Sequence, residues 1–477
     1  EYMTIEEAID AASDGDMVLV AAGTYVENIN YNGKNISVIG EDRETTIIDG
    51  GSSASVVIFN NGEDSSAVLS GFTIQNGLAQ KGGGINCRNS SPSLDNLIIS
   101  GNTASGGTTY NQGGGIYCYS SSPRLDNVSI TGNSALGPVG DGGGMLCTNT
   151  SNPIFTNVTI KDNSSTDDGG GLACFTSSSP VLTNVAITNN SSSWGGGICC
   201  RFSSSPTLMN VTISGNTASG GSTNISGGGI YLHDNSNPNL MNTISWGNTP
   251  NEIEFHSVLA NYDSNTITVS YSDIAGGQDS IITNNNGTVT WGSGNIDADP
   301  LFCNAASSDY TLFENSPCIA AGANESNMGA FGIGCDEPFA GPIWHVSQDG
   351  SDSTGNGSME LPFRTIQYAI TSVDTGDTVI VHQGTYVENV NFDGKSIVLA
   401  SNWLFANDTT AIDSTIIDGN NNGPVVNISN GEDSTTALIG FTLSNGSGVA
   451  IGNYNKGGGI YIEGSRPSIR WVNIEDC

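Results

Sequence analysis

The chain has 477 residues, of which 12% are charged, with 47 Asp and Glu against 12 Lys and Arg for a formal net charge of −35. A field of that sign repels nucleic acid and anionic membranes, so no nucleic-acid partner is expected. No stretch approaches the roughly 20 apolar residues of a membrane-spanning helix, and 64 Gly residues among abundant Ser, Thr and Asn imply a surface of neutral hydrogen-bonding groups.

From the N-terminus, residues 4–12 (Thr-Ile-Glu-Glu-Ala-Ile-Asp-Ala-Ala) read as a short amphipathic helix with Thr4 and Glu7 as a capping box. Such a helix serves to cover an open end of a strand stack and to blunt its edges. Next comes a repeat. Gly-Gly-Gly recurs at 82–84, 113–115, 142–144, 169–171, 195–197 and 227–229, and again at 457–459.

Between the glycines stand Pro92, Pro123, Pro153, Pro180, Pro206 and Pro238. Four residues after each proline is an asparagine (Asn96, Asn127, Asn157, Asn184, Asn210, Asn242), and six further on a second one (Asn102, Asn133, Asn163, Asn190, Asn216, Asn248). Apolar residues alternate around them, as in Leu125, Val128 and Ile130, which marks strands with one buried face. The alternation slips at the first Asn, so a corner is expected there, because Asn tolerates the left-handed backbone region. Corners stacked at strand spacing of about 4.8 Å would join these first asparagines into an internal amide ladder. The glycines mark another corner. Each repeat is therefore one coil of three short parallel strands that buries its inner face only by stacking on its neighbours.

Residues 1–295 are expected to form this solenoid, 296–341 a terminal segment of anchor type, and 342–477 the start of a second copy. Thr365 through Lys395 repeats Thr4 through Lys34 at an offset of 361, and Asn-Gly-Glu-Asp-Ser at 61–65 returns at 430–434. The second copy carries a lead-in, Trp344 to Arg364, and Cys477 falls in mid-repeat, so the sequence reads as a segment of a longer repeated polypeptide.

The lead-in Trp344-His-Val-Ser-Gln-Asp-Gly-Ser-Asp with Pro362-Phe-Arg-Thr-Ile-Gln resembles the N-terminal segment of pectate-lyase-like right-handed parallel β-helix proteins. Gly113 to Ile116 is similar to the glycine half of polymorphic outer-membrane adhesin repeats, whereas Leu125, only two residues before Asn127, departs from their second half. Residues 296–333 resemble a domain of secreted proteins with varied surface anchors, through Asp299-Pro-Leu-Phe, Ser316-Pro-Cys-Ile and Gly329-Ala-Phe, with Ala320 where Asp is expected. These resemblances imply an all-β right-handed β-helix that is secreted or displayed on a bacterial cell surface.

Cys87, Cys118, Cys147, Cys174 and Cys200 each follow a glycine triplet by three residues, in phase with inward Ile85, Ile116, Met145, Leu172 and Ile198. They are expected to be a column of buried, apolar thiols. One pair among Cys303, Cys318 and Cys335 suits a disulfide. Asp349, Asp352 and Asn356 in a Gly- and Ser-rich loop are the calcium candidates, and no other cofactor is expected. Asp167-Asp168 reads as a surface pair, since strand neighbours point to opposite faces. His233, His256, His345 and His382 lie in no nucleophile motif, and no Lys or Arg stands in a recognisable acidic constellation.

The functional expectation is a non-catalytic extracellular scaffold, structural or adhesive, that self-associates into fibres or binds cell-surface glycan. The alternative is a polysaccharide lyase or glycoside hydrolase acting on acidic polysaccharide, a reading that rests on fold analogy.

Overall fold

The computed structural model describes residues 2–220, 226–257, 264–305, 308–335, 343–406, 410–451 and 454–477. The chain forms two compact units, Glu1–Cys335 and Asp336–Cys477. Among the described residues no helix is long and apolar enough to cross a membrane.

In the first unit the repeated coils begin on glycine triplets. The six strands that follow triplets, among them Ile85–Arg88, Ile116–Tyr119 and Leu172–Phe175, stack with Ile29–Asn30, Val57–Phe59 and Ile253–Phe255 into one nine-stranded parallel sheet, the triplet sheet. Its register is unbroken: Ile85 lies beside Ile116, then Met145, Leu172, Ile198 and Ile230. The first glycine of most triplets has positive φ, 65° at Gly82. The second permits close approach, since a Cβ on Gly83 would stand 2.5 Å from the Gly114 carbonyl oxygen.

The strands before and after the first asparagine form a second, bent sheet, and in three coils they run on as the single strands Ile154–Lys161, Val181–Thr188 and Thr207–Ser214. Two-residue strands such as Ser134–Ala135 and Ser191–Ser192 close the coil. The interior is one continuous apolar stack.

The corners hold the coils in register, and their ladders differ from the sequence expectation. Asn96, Asn127, Asn157, Asn184, Asn210 and Asn242 do adopt the left-handed region, with φ of 51–55°. Their amides bond coil to coil, as in Asn127 Nδ2 to Asn96 Oδ1 at 3.1 Å and Asn210 to Asn184 at 3.1 Å, yet Asn157 donates to Asp126 instead. This column faces outward, with Asn127 and Asn157 exposed. A left-handed residue at a convex corner turns its side chain away from the core.

The internal ladder is the second column. Asn102, Asn133, Asn163, Asn190 and Asn216 each donate both backbone N–H and Nδ2 to the Oδ1 of the next asparagine, at 2.8–3.1 Å. The column ends at Asn248, whose backbone and side chain donate to the buried Glu252 carboxylate. A third ladder lies two residues before each proline. There the backbone N–H of Ser90, Ser121, Ser151, Ser178 and Ser204 donates to the hydroxyl of the next serine, and Ser236 passes to Asn265.

The predicted helix is α1, Ile5–Ala11, with Thr4 Oγ1 accepting from the Glu7 N–H at 3.2 Å. The Glu27 carboxylate accepts from the Ile5 and Glu6 N–H groups, and Lys34 Nζ donates to the Ile9 and Asp10 carbonyls at the other end. Opposite charges thus meet both ends of the helix dipole.

Residues 296–335 carry a small sheet of Phe302–Asn304, Asp309–Phe313 and Ile333–Cys335, closed by a Cys303–Cys335 disulfide. It packs on the coils through Tyr310 to Asn189, Gly329 to Asn242 and Ala330 to Thr212. Cys318 stays free and donates to Asp273.

The second unit repeats the cap. Helix α2, Ile366–Ser372, is capped by Thr365 and Glu388 and closed by Lys395, followed by the same strand order. The recurring Asn-Gly-Glu-Asp-Ser has a structural reason. Glu63 and Glu432 are buried and each accepts from two loop N–H groups and one serine hydroxyl.

Candidate functional site

Outward positions of the triplet sheet should meet solvent, but Tyr117, Leu146, Ala173, Cys199 and Tyr231 are buried and packed together with Phe175. The residue before each triplet folds over this face. Lys81, Gln112 and Asp141 run side by side, as do Asp168 and Trp194 one coil further. Three of the 12 Lys and Arg lie here: Lys81 over the Tyr117 ring, Arg88 over Tyr119 and Arg201 over Phe202.

In the middle of this face one carboxylate oxygen from each of Asp141, Asp167 and Asp168 comes within 4.8 Å of the others. Asp168 is 1% exposed, forms an ion pair with Arg201 and accepts from the Cys199 thiol at 3.4 Å. Asp141 is 3% exposed; its Oδ2 accepts from Gln112 Nε2 at 3.4 Å, and its Oδ1 has no hydrogen-bond partner among the described residues.

Burial, then the charges of Asp168 and Asp167, push the Asp141 carboxyl up to about 7. Burial and Asp168 push Asp167 to about 6. Burial alone would lower Arg201, but the Asp168 carboxylate beside it holds the guanidinium above its ordinary value. At the far end the His233 and His256 rings lie 4.2 Å apart, and His256 Nδ1 meets the Tyr231 hydroxyl. Burial, with Arg201 nearby, pushes His233 down to about 3, so it is neutral.

Three carboxylates converging in a nearly dry site repel one another unless a proton or a cation intervenes. An all-oxygen donor set with an unpartnered buried oxygen suits a hard divalent cation such as Ca²⁺.

The sequence reading missed this cluster. Asp167 and Asp168 sit at the turn into the triplet rather than within a strand, so the rule that neighbours face opposite ways does not hold there, and Asp168 is buried rather than on the surface. Arg201 does stand among acidic neighbours. The usable signal was the column itself, with Asp141 and Asp168 both immediately before a triplet.

The loop expected to bind calcium lies in the second unit. Asp352 Oδ1 accepts from the Arg364 and Thr365 N–H groups at 2.8 and 3.0 Å, and its Oδ2 from the Thr365 hydroxyl at 2.8 Å, so it braces the residues that lead into α2. Asp349 is exposed in the same loop. The five-cysteine column is buried and in register, and burial pushes Cys118 and Cys174 far above the ordinary thiol value.

A family model described as "Right handed beta helix region" matches residues 43–192. The chain is a right-handed parallel β-helix. A second model, the Chlamydia polymorphic membrane protein repeat, matches residues 184–201 of this β-helix. A curated relative, "Uncharacterized protein YwoF" of Bacillus subtilis (strain 168), is 29% identical over 138 residues, 27% of this chain. The β-helix thus spans 28% of that relative's length. Among solved structures, pectate lyase Pel9A is 14% identical over 70% of this chain and 91% of its own, with a TM-score of 0.37. A PL6 alginate lyase in complex with trisaccharide is 10% identical over 99% of this chain and 92% of its own, with a TM-score of 0.31.

Proposed function

We propose that this β-helix is an exported, non-catalytic surface scaffold that binds acidic polysaccharide along the outer face of the triplet sheet, through a divalent cation held by Asp141, Asp167 and Asp168. The observation that carries the reading is the convergence of three carboxylates, one of which, Asp141, has a buried oxygen with no hydrogen-bond partner among the described residues. A cation held there would be reached by a ligand past Asp167, the half-buried member of the three, and Lys81 and Arg88 extend the same face with positive charge in a chain of net charge −35. The Cys303–Cys335 disulfide supports an oxidising compartment. What supports binding without cleavage is that the Arg201 guanidinium is tied to Asp168, which makes it a poor base.

The test is calorimetric titration of the purified chain with pectate and alginate, in Ca²⁺ and in chelator. Binding is expected in Ca²⁺ and lost with chelator or in Asp141→Asn, with no unsaturated products by ultraviolet absorbance. Absence of Ca²⁺-dependent binding to both polymers overturns the proposal.

The adjacency of Arg201 to three acids favours one second reading, a polysaccharide lyase. Unsaturated products that disappear in Arg201→Ala would establish it in place of the scaffold.

A further inference from the structure

The second unit holds two histidines, His345 and His382, and its lead-in brings them together. The strand Ile343–Val346 pairs in parallel with Thr378–Val381, with His345 opposite Ile380. Trp344 and Val346, on either side of His345, pack on the core, so His345 faces outward. Its backbone is tied twice, the N–H donating to the Gly357 carbonyl at 2.8 Å and the carbonyl accepting from the Phe363 N–H at 3.0 Å. His382 opens the turn after the partner strand. Its N–H donates to the Val346 carbonyl at 2.8 Å, and its carbonyl accepts from the Tyr386 hydroxyl at 2.9 Å.

His345 Nδ1 thereby stands 3.2 Å from His382 Nε2, with the ring centroids 5.3 Å apart. Both rings are half-buried, so solvent reaches the pair. The Asn402 side-chain amide lies 3.5 Å from His382 Nδ1. With its oxygen turned there it accepts from Nδ1–H, which leaves the Nε2 lone pair aimed at His345. Burial holds both rings below the ordinary imidazole value, His345 also through the charge of His382, and neutral rings are the ones that ligate metals. The turn itself does not require an imidazole. At the offset of 361 the position of His382 is Ala21, and the first unit forms the same strand, turn and strand, Met17–Val20 into Gly23–Val26, that the second forms from Thr378–Val381 into Gly384–Val387.

We infer that His345 Nδ1 and His382 Nε2 together hold one Zn²⁺ ion, which clamps the lead-in strand to the turn after its partner. Two Zn–N bonds of about 2.0–2.1 Å at a tetrahedral angle set their nitrogens about 3.3–3.4 Å apart, so the ion enters with little movement of either ring. On entry His345 releases its Nδ1 proton and carries one at Nε2 instead, and water or a ligand from outside fills the remaining positions. Imidazole donors favour Zn²⁺ over Ca²⁺, whereas carboxylates favour Ca²⁺. The inference is therefore independent of the acidic cluster in the first unit.

The test is calorimetric titration of the full chain with Zn²⁺, beside His345→Ala and His382→Ala; the second substitution copies the first unit and is expected to fold. Each is expected to weaken one equivalent of Zn²⁺ binding at least tenfold. Hydrogen exchange at Ile343–Val346 should slow in Zn²⁺ in the parent and not in His382→Ala, a change that Zn²⁺ bound elsewhere on the chain would not produce. Zn²⁺ binding that is absent from the parent or unchanged by both substitutions, or exchange at Ile343–Val346 that Zn²⁺ does not slow, overturns the inference.

Discussion

Asn133 gives both its backbone N–H and its side-chain Nδ2 to one atom, the Oδ1 of Asn163, at 2.9 and 3.1 Å. Since Asn163 does the same to Asn190, replacing it by Ala removes the shared acceptor of two buried donors below and the Nδ2 bond above, while its backbone N–H keeps the bond to Asn190. Asn163→Ala is expected to destabilise the first unit by about 3 kcal/mol, given roughly 1–3 kcal/mol for each buried polar group left unpaired. The outward Asn157→Ala should cost less, about 1 kcal/mol, because water replaces its bonds and the loss comes from the left-handed backbone that Ala adopts less readily. Urea unfolding of the two variants checks the contrast, and equal losses would contradict the assignment of the inner column.

Calcium should stabilise the protein through Asp141. A ligand present at about 100 times its Kd adds ~2.7 kcal/mol to stability, so Tm is expected to rise in Ca²⁺ and fall back with chelator. Asp141→Asn should abolish the response, whereas Asp349→Asn should preserve it. A response lost only in Asp349→Asn would move the cation to the second unit.

Asp273 governs a pH dependence. Burial pushes its carboxyl from 3.8 to about 6, although the Cys318 thiol and the Ala298 N–H both donate to it. A raised carboxyl holds its proton more tightly in the folded state, so its stabilising contribution is complete below about pH 3.8 and disappears as pH rises through about 6. Asp273→Asn is therefore expected to gain ~1–2 kcal/mol over the parent between about pH 4 and about pH 7. Chemical denaturation at both ends of that range measures it.

The thiol column should be inert. Cys87, Cys118, Cys147, Cys174 and Cys200 are buried, whereas Cys477 is exposed. Iodoacetamide is expected to label Cys477 in the native protein and the five column cysteines only after unfolding, as read by mass spectrometry. Labelling of the column under native conditions would show that the coils open locally.

Much of this architecture was legible from spacing. Proline, two asparagines and three glycines at fixed intervals specify corners, and the capping Thr4 and the inward Cys118 followed from local pattern alone. What spacing does not specify is the direction in which a corner side chain points. Asn127 and Asn133 look alike in the sequence, but Asn127 is itself the left-handed residue and points out, whereas Asn133 follows a left-handed Gly132 and points in. The acidic cluster escaped notice for a related reason. Asp141 and Asp168 stand one whole repeat apart in the sequence, and they become neighbours only once the glycine triplets are superposed coil on coil. The serine ladder was hidden by composition, since Ser151 and Ser178 lie in runs where any serine looks like loop filler.

The inner asparagine column also bears on how such a molecule changes length. All its bonds run the same way, and each coil presents below the same acceptor that it seeks above. Deleting residues 163–189, one full repeat, would set Asn133 directly against Asn190, with both of its donors matched again. Along this column whole coils are thus interchangeable cassettes, and recombination between misaligned repeats can add or remove a coil without breaking the ladder.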